Sequence, residues 1–508
     1  MSIDRSKRHD GKPLEQPEGD RFQRRRRAFF GQASCSAVGA TTLFSNLFSL
    51  RSAGALAAAN VPAAAPVPKG APLPGNDYRA LVCLLFAGGI DSFNVLTPRG
   101  SAEYAEYAEI RRDLALSQSN LLPIAPNAGD GREYGLHPAL PEVQQLFERG
   151  DLAFLANVGT LLEPTVKADI LAGSANLPLG LYSHNDQIMH WQTGLPDQRA
   201  SIGWAGRAAD LLRTSNANST VSMNISLGGT NIFQAGNQVV PYAISSRGTG
   251  SIGITGYGGS SLLDQLRTSA IDGLYGAQYQ NLFAETFAQK SRGAIDAHLL
   301  FSNAISSVPP LTTVFSDSSI SRSFEMVARA IAARQALGAR RQTFFIVSGG
   351  WDHHDRVLFN QAQMLPAVSR ALGEFHAALT ELNVLNDVVT FTASDFGRTL
   401  TSNGEGSDHA WGGNHMIMGG PVRGRQIYGS YPQLYANNPL DVGRGRLIPT
   451  TSCDEYFAEL ALWLGVAPSD LSTVLPNIDR FYSPGPSPPI GFLNSIQAPL
   501  FADGFEGV

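Results

Sequence analysis

The sequence predicts an α/β fold, a mostly parallel central sheet flanked by helices, with an irregular insertion or cap. Three observations predict it. Short, continuously apolar runs end in glycine pairs or polar clusters, as strands buried on both faces do. Segments with apolar residues at helical spacing lie between those runs. The three cysteines of the 508 residues are too few for a disulfide framework, so a large core must carry the fold.

The elements follow in chain order. Arg24-Arg25-Arg26-Arg27 runs into Ala28-Phe29-Phe30, giving Arg-Arg-x-Phe-Phe. The stretch from Ala28 to about Leu50 is only moderately apolar, broken by Gln32, Ser34, Ser36, Gly39 and Asn46. A stable membrane span wants about 20 predominantly apolar residues. Weak hydrophobicity after paired arginines reads instead as a twin-arginine signal peptide over 1–57, with small residues Ala55-Leu56-Ala57 at its end. The expectation is therefore a periplasmic or secreted protein, with the twin-arginine translocase as its partner during export and no stable membrane span.

The leader holds 10 Lys and Arg against 5 Asp and Glu, and the remainder carries a net charge of −10. That acidic balance argues against nucleic-acid binding, which needs a basic footprint. Cys35 leaves with the leader. Cys83 and Cys453 read as two buried thiols.

Residues 58–76, rich in Ala and Pro, read as a linker, and the α/β domain is expected over 77–484. Leu81 to Phe86 is the first buried strand, ending in Gly88-Gly89. Leu140 to Arg149 reads as a helix and Leu152 to Ala156 as a strand. The segment from about 213 to 321, Gly- and Ser-rich over 245–261, is the insertion or cap. Ser323 to Arg341 reads as a helix and Thr343 to Val347 as a strand ending in Gly349-Gly350. Leu365, Val368, Leu372, Phe375, Leu379 and Leu382 form one apolar helical face. Val388 to Thr392 is a further strand. Residues 485–508 form a Pro-rich tail with an acidic, aromatic end.

In open parallel sheets, ligands sit beyond the carboxyl ends of the strands. There the sequence places Asp91-Ser92-Phe93-Asn94, then Trp351-Asp352-His353-His354-Asp355, then Ser394-Asp395-Phe396-Gly397-Arg398. Asp408-His409 and His415 follow closely, and Ser183-His184 lies upstream. Of the nine histidines after the leader, His353, His354, His409 and His415 fall in these clusters. Carboxylates and imidazoles gathered at strand ends suit a hard-to-borderline divalent metal. Each has a plainer reading: a lone Asp after a strand is most often a turn former or helix N-cap. His353, facing away from His354, reads as a supporting or solvated residue, and His376, within the amphipathic helix, as structural.

The order of these motifs resembles a known family. Gly-Gly-x-Asp, Ser-His near Trp-x-x-Gly, Gly-Trp-Asp-x-His, Ser-Asp-Phe-Gly-Arg and Asp-His-x-Trp-Gly-x-x-His run from about Leu81 to Tyr482. They resemble the twin-arginine-exported bacterial proteins catalogued as domain of unknown function 1501, within the alkaline phosphatase/sulfatase-like superfamily. The resemblance implies an alkaline phosphatase-like α/β domain with one or two divalent ions, Zn, Mn, Mg or Ca. It implies Asp91, Asp352, His354, Asp395 and His409 as metal ligands. Phe396 departs from the superfamily, which often places a histidine ligand there.

Two functions are expected. One is a metal-dependent hydrolase of small anionic phosphate or sulfate esters. Ser183 is its candidate nucleophile, at a helix start suited to anions, with Ser92 and Asn94 as rivals. Arg398 would neutralise the transferring group, and His184 or His415 would act as general acid. The other is a non-catalytic binding or surface-assembly protein on the same fold.

Overall fold

The computed structural model describes residues 77–128 and 130–494. The leader, the linker and the end of the tail (495–508) lie outside the described residues.

The first apolar run forms β1 (Arg79–Phe86), and its alternation shows why the sheet is covered twice. Ala80, Val82, Leu84 and Phe86 face one core. Leu81, Cys83 and Leu85 face a second. Successive strand residues point to opposite faces, so a run that is apolar at every position needs a layer on each side.

The remaining strands are β2 (Leu96–Pro98), β3 (Leu122–Ile124), β4 (Tyr134–Leu136), β5 (Leu152–Gly159), β6 (Asn224–Ser226), β7 (Tyr242–Ala243), β8 (Arg341–Ser348), β9 (Val388–Ser394), β10 (Gly413–Met418), β11 (Ile427–Tyr428) and β12 (Thr451–Ser452). The central sheet has nine strands in the order β11-β5-β10-β9-β1-β8-β6-β7, with β12 also on β5. All its pairings are parallel except those of β10, which runs antiparallel to both β5 and β9. β2, β4 and β3 make a small separate sheet.

Helices Pro141–Arg149, Ser319–Ala332 and Val357–Glu381 cover the first face, and Trp204–Leu212 and Cys453–Leu464 the second. The Val357–Glu381 helix buries Leu365, Val368, Leu372, Phe375 and Leu379, the expected apolar stripe. It starts eight residues before that stripe and carries Pro366 in its interior. The preceding helix ends at Ala332, short of the expected Arg341, because β8 already begins there.

Within 213–321, β6 and β7 extend the central sheet at its edge. Residues 244–261 carry no helix or strand, and two helices follow, Leu262–Gly276 and Leu282–Ser307. Cys83 and Cys453 are free and buried. Among the described residues, no helix is long and apolar enough to cross a membrane.

Candidate metal centre

Phe86 at the end of β1 pairs with Ser348 of β8 on one side and Ser394 of β9 on the other. Three strands therefore end level, and the loops after them leave the sheet side by side. Gly88 and Gly89 have φ of 117° and 78°, and a Cβ on Gly88 would lie 2.6 Å from the Asp352 nitrogen. Only glycine lets the β1 loop approach the β8 loop this closely.

Arg398 ties the loops together. It is fully buried. Its Nε donates to the Gly89 carbonyl at 2.7 Å and Nη1 to Ser407 O at 3.0 Å. Nη2 donates to the Gly88 carbonyl and to Asp352 Oδ1. Arg398, expected to grip substrate, here directs its donors to backbone carbonyls and to Asp352, which it positions.

Three imidazoles meet at that same Asp352 oxygen. Nε2 of His354 lies 3.1 Å from it, Nε2 of His409 3.4 Å and Nε2 of His184 3.5 Å. The ligand atoms of His184, Asp352 and His409 lie within 4.8 Å of one another, and His354 Nε2 is 2.9 Å from His409 Nε2. Each ring is held from behind by an acceptor. His184 Nδ1 meets Asp395 Oδ2 at 2.7 Å. His354 Nδ1 meets Asp408 Oδ1 at 3.1 Å. His409 Nδ1 donates to the Tyr182 carbonyl at 2.8 Å. A carbonyl or carboxylate oxygen only accepts, so Nδ1 carries the proton and Nε2 of a neutral ring turns a lone pair inward. Two such lone pairs facing each other at 2.9 Å need positive charge between them, a proton or a cation.

The donor chemistry of this set suits a divalent ion. Donors on a tetrahedron of 2.0–2.1 Å bonds stand about 3.3 Å apart; the three contacts to Asp352 and the His354–His409 contact run from 2.9 to 3.5 Å, and the His184, Asp352 and His409 donors lie within 4.8 Å of one another. His184 Nε2 is buried with no hydrogen-bond partner. An acceptor behind each imidazole is the usual support of a metal-ligating histidine.

The cluster is electrostatically taut. Burial works against protonation of His184, but the Asp352 and Asp395 carboxylates beside its two nitrogens prevail and raise its pKa to about 9. Asp352 is held far below the carboxylate range: burial opposes this, and His184, His409 and Arg398 outweigh it. Asp408 falls to about 2, with Asn403, Arg444 and His354 overcoming burial.

The structure distributes the expected site residues unevenly. Asp352, His354 and His409 converge, joined by His184, which sequence reasoning had cast as an acid. Asp395, expected as a ligand, stands behind His184 here: its oxygens serve His184 Nδ1 and the Gly88 amide, the latter at 3.1 Å. Asp91, also expected as a ligand, lies in an ion pair: Oδ2 pairs with Arg111 at 2.6 Å and accepts from Ser407 Oγ at 3.1 Å. Asp91 and Arg111 are both fully buried. His415, expected as an alternative general acid, packs against Trp191 at 4.7 Å beside the second core, and burial lowers its pKa to about 3. Ser183 stands at the N-cap of the His184–Thr193 helix, next to the cluster in sequence. Ser92 Oγ accepts from the Asn414 amide at 2.8 Å, and Asn94 Oδ1 accepts from Tyr107 Oη at 2.8 Å, both in the interior. His353 is buried rather than solvated, 5.8 Å from the Trp351 ring. His376 is structural, 3.0 Å from Asp151 Oδ2.

Phe396, the departure from the superfamily pattern, has a clear place. Its ring packs 4.8 Å from His184 and 4.5 Å from His409. It gives the imidazoles a wall in place of a further ligand. Sequence reasoning missed Asp408 and Tyr182 as supports; the Asp408-His409 pair was the available signal for the first.

Known proteins can be compared with this geometry. Residues 277–444 match the family model described as protein of unknown function (DUF1501). That stretch holds Asp352, His354, Asp395 and His409, and leaves His184 outside it. No curated protein sequence matches the chain. Among solved structures, the sulfatase PsFucS1 from Pseudoalteromonas sp. is 12% identical, covering 78% of this chain and 69% of its own, with a TM-score of 0.30. Ps i-CgsB, solved with k-i-k-neocarrahexaose, is 13% identical over 76% of this chain and 72% of its own, with a TM-score of 0.29. A substituted form of alkaline phosphatase PafA is 10% identical over 65% and 64%, with a TM-score of 0.24.

Proposed function

We propose that this protein is an exported hydrolase of small anionic phosphate or sulfate esters that uses one divalent ion held by His184, Asp352 and His409, with His354 beside them. The observation that carries the reading is the convergence of three Nε2 atoms on one Asp352 oxygen, each ring anchored through Nδ1. An imidazole-rich set favours a borderline ion such as zinc over magnesium or calcium. Asp91 in its ion pair and the phenylalanine at 396 favour one ion over two. When bound, the ion would supply Lewis-acid polarisation of an ester oxygen.

The chain's own groups supply the rest. Asp352 and His354 each leave 45% of their side chains exposed, so a substrate reaches the centre from solvent. Arg444 pairs with Asp408 at 2.5 Å and is half exposed. Arg446 lies 5.1 Å over the Tyr182 ring and donates to the His409 carbonyl at 3.2 Å. These two guanidiniums favour an anion beside the cluster. Ser183 would be the nucleophile: it stands at the N-cap of a ten-residue helix, where backbone N–H groups favour negative charge.

The test is elemental analysis of the purified protein followed by an aryl phosphate and sulfate panel. The expected result is one ion per chain and turnover abolished by His409→Ala and by Ser183→Ala, with the ion lost only in the first. A protein that neither retains nor takes up an ion, and turns over no ester, overturns the reading.

The second reading, a non-catalytic binding protein, is favoured by the fourth donor. If His354 ligates too, three imidazoles and a carboxylate close a tetrahedral site as in structural zinc centres. A cobalt-substituted protein distinguishes the two: an absorption spectrum that shifts with added phosphate means an open position, and an indifferent one a closed site.

The export reading rests on the arginine pattern of residues 24–27. Cell fractionation tests it: Arg26→Lys with Arg27→Lys should leave the protein in the cytoplasm.

A further inference from the structure

The helices Leu262–Gly276 and Leu282–Ser307 pack as an antiparallel hairpin. Arg292 Nη1 reaches Asp272 Oδ1 at 2.6 Å, and the Tyr275 and Phe287 rings lie 6.3 Å apart. The first of the two helices buries none of its residues. Leu262, Leu266 and Leu274 fall on one stripe of it, since residues four and eight apart share a face. They are 74%, 60% and 59% exposed, and Leu263 beside them 65%. On the second helix Leu282 is 52% exposed, Phe283 67% and Phe287 66%. A stripe of leucines in water on a 15-residue helix lacks the tertiary burial that ordinarily stabilises so short a helix.

We infer that this hairpin is a self-association surface, on which a second copy of the chain lays the same hairpin to form a four-helix arrangement about a two-fold axis. Two arguments select that occupant. The first is area. The exposed parts of these seven side chains amount to on the order of 800 Å², which is about what each partner gives to a standard interface and more than monomers ordinarily leave exposed in one patch.

The second is charge. Arg267 pairs with Asp264 at 2.8 Å, and Arg292 with Asp272 and with Asp296 at 3.2 Å. The hairpin thus pairs most of its charges internally, which limits like-charge repulsion between two copies. An anionic lipid surface would want a basic polar face, whereas Lys290, Arg267 and Arg292 are outnumbered by Asp264, Asp272, Glu285 and Asp296. An isologous pairing needs only a self-complementary apolar stripe, which is what two leucine- and phenylalanine-lined helices offer. The inference does not depend on the metal reading, since none of the cluster residues lies on the hairpin.

Sedimentation equilibrium of the full mature chain at tens of micromolar tests it, beside flotation with neutral and anionic phospholipid vesicles. A dimer is expected, converted to monomer by Leu266→Glu with Phe287→Glu. Both side chains are exposed, so the fold should stand, and unchanged circular dichroism and metal content will verify that. Leu171→Glu, at another exposed leucine, should remain dimeric. A monomeric wild-type chain, a dimer that survives the double substitution, or a monomer that floats with vesicles overturns the inference.

Discussion

At the scale of single residues, the identity of the donor atoms was legible and their roles were not. Asp352, His354 and His409 stand out in the sequence because imidazoles and carboxylates gather after apolar runs. Nothing in the sequence separates a ligand from its support, because that depends on which oxygen faces which ring nitrogen. Asp395 and Asp91 both follow strands, and the structure gives one to His184 and the other to Arg111. Asp91→Ala should therefore cost roughly 3–5 kcal/mol by leaving a buried guanidinium unpaired, with the metal content of the folded protein unchanged. Urea denaturation with elemental analysis checks both halves, and a fall in metal content would restore Asp91 as a ligand. The metal-free protein should also carry the sign of His184. Its pKa is raised from the ordinary histidine range to about 9. The stabilisation from its protonated form is fully present below about pH 6.5 and is lost as pH rises through about 9. Chelated protein should show a lower urea midpoint at pH 9.5 than at pH 6.5, and His184→Gln should shrink the difference. Equal midpoints in the parent would contradict that account.

At the scale of elements, β1, β5, β8 and β9 were legible because strands buried on both faces have few sequence alternatives. The antiparallel β10 was not. Its direction is set by the 395–412 loop, which returns through a bridge between Arg398 and His409 rather than through a crossover helix. The helix boundary misread at 332 has a similar cause, since apolar periodicity runs on into the turn before β8. The two arms of the loop meet closely at its base: a Cβ on Gly397 would sit 2.0 Å from the Gly412 carbonyl oxygen. Gly397→Ala must push the two loop arms apart, and His409 rides on one of them. The expected outcome is a metal affinity lower by about tenfold or more with the fold retained, as for other losses of ligand support. Isothermal titration of the chelated protein with zinc checks it, and unaltered affinity would mean the loop relaxes without moving His409.

At the scale of the whole molecule, the sheet and its two covering layers were legible from periodicity, whereas the helical hairpin after residue 261 was hidden by its Gly- and Ser-rich approach. The candidate metal centre links segments that the sheet alone does not join directly: the helix start at His184, the β8 loop at Asp352 and the returning loop at His409. Occupancy should stabilise the molecule by about 2.7 kcal/mol when free metal stands at a hundred times its dissociation constant. A thermal-melt series against zinc concentration checks that, and a melting point indifferent to chelator would place the ion outside the folded state's energetics. The same spread of ligands sets an order of events in time. A nascent chain holds these donors on stretches far apart, so a high-affinity seat for the ion exists only once β8, β9 and the Ser183 turn have docked. On the proposed metal reading, loading would thereby be a late, one-step report that the polypeptide is finished, and a chain trapped halfway would be recognisable by its empty hands.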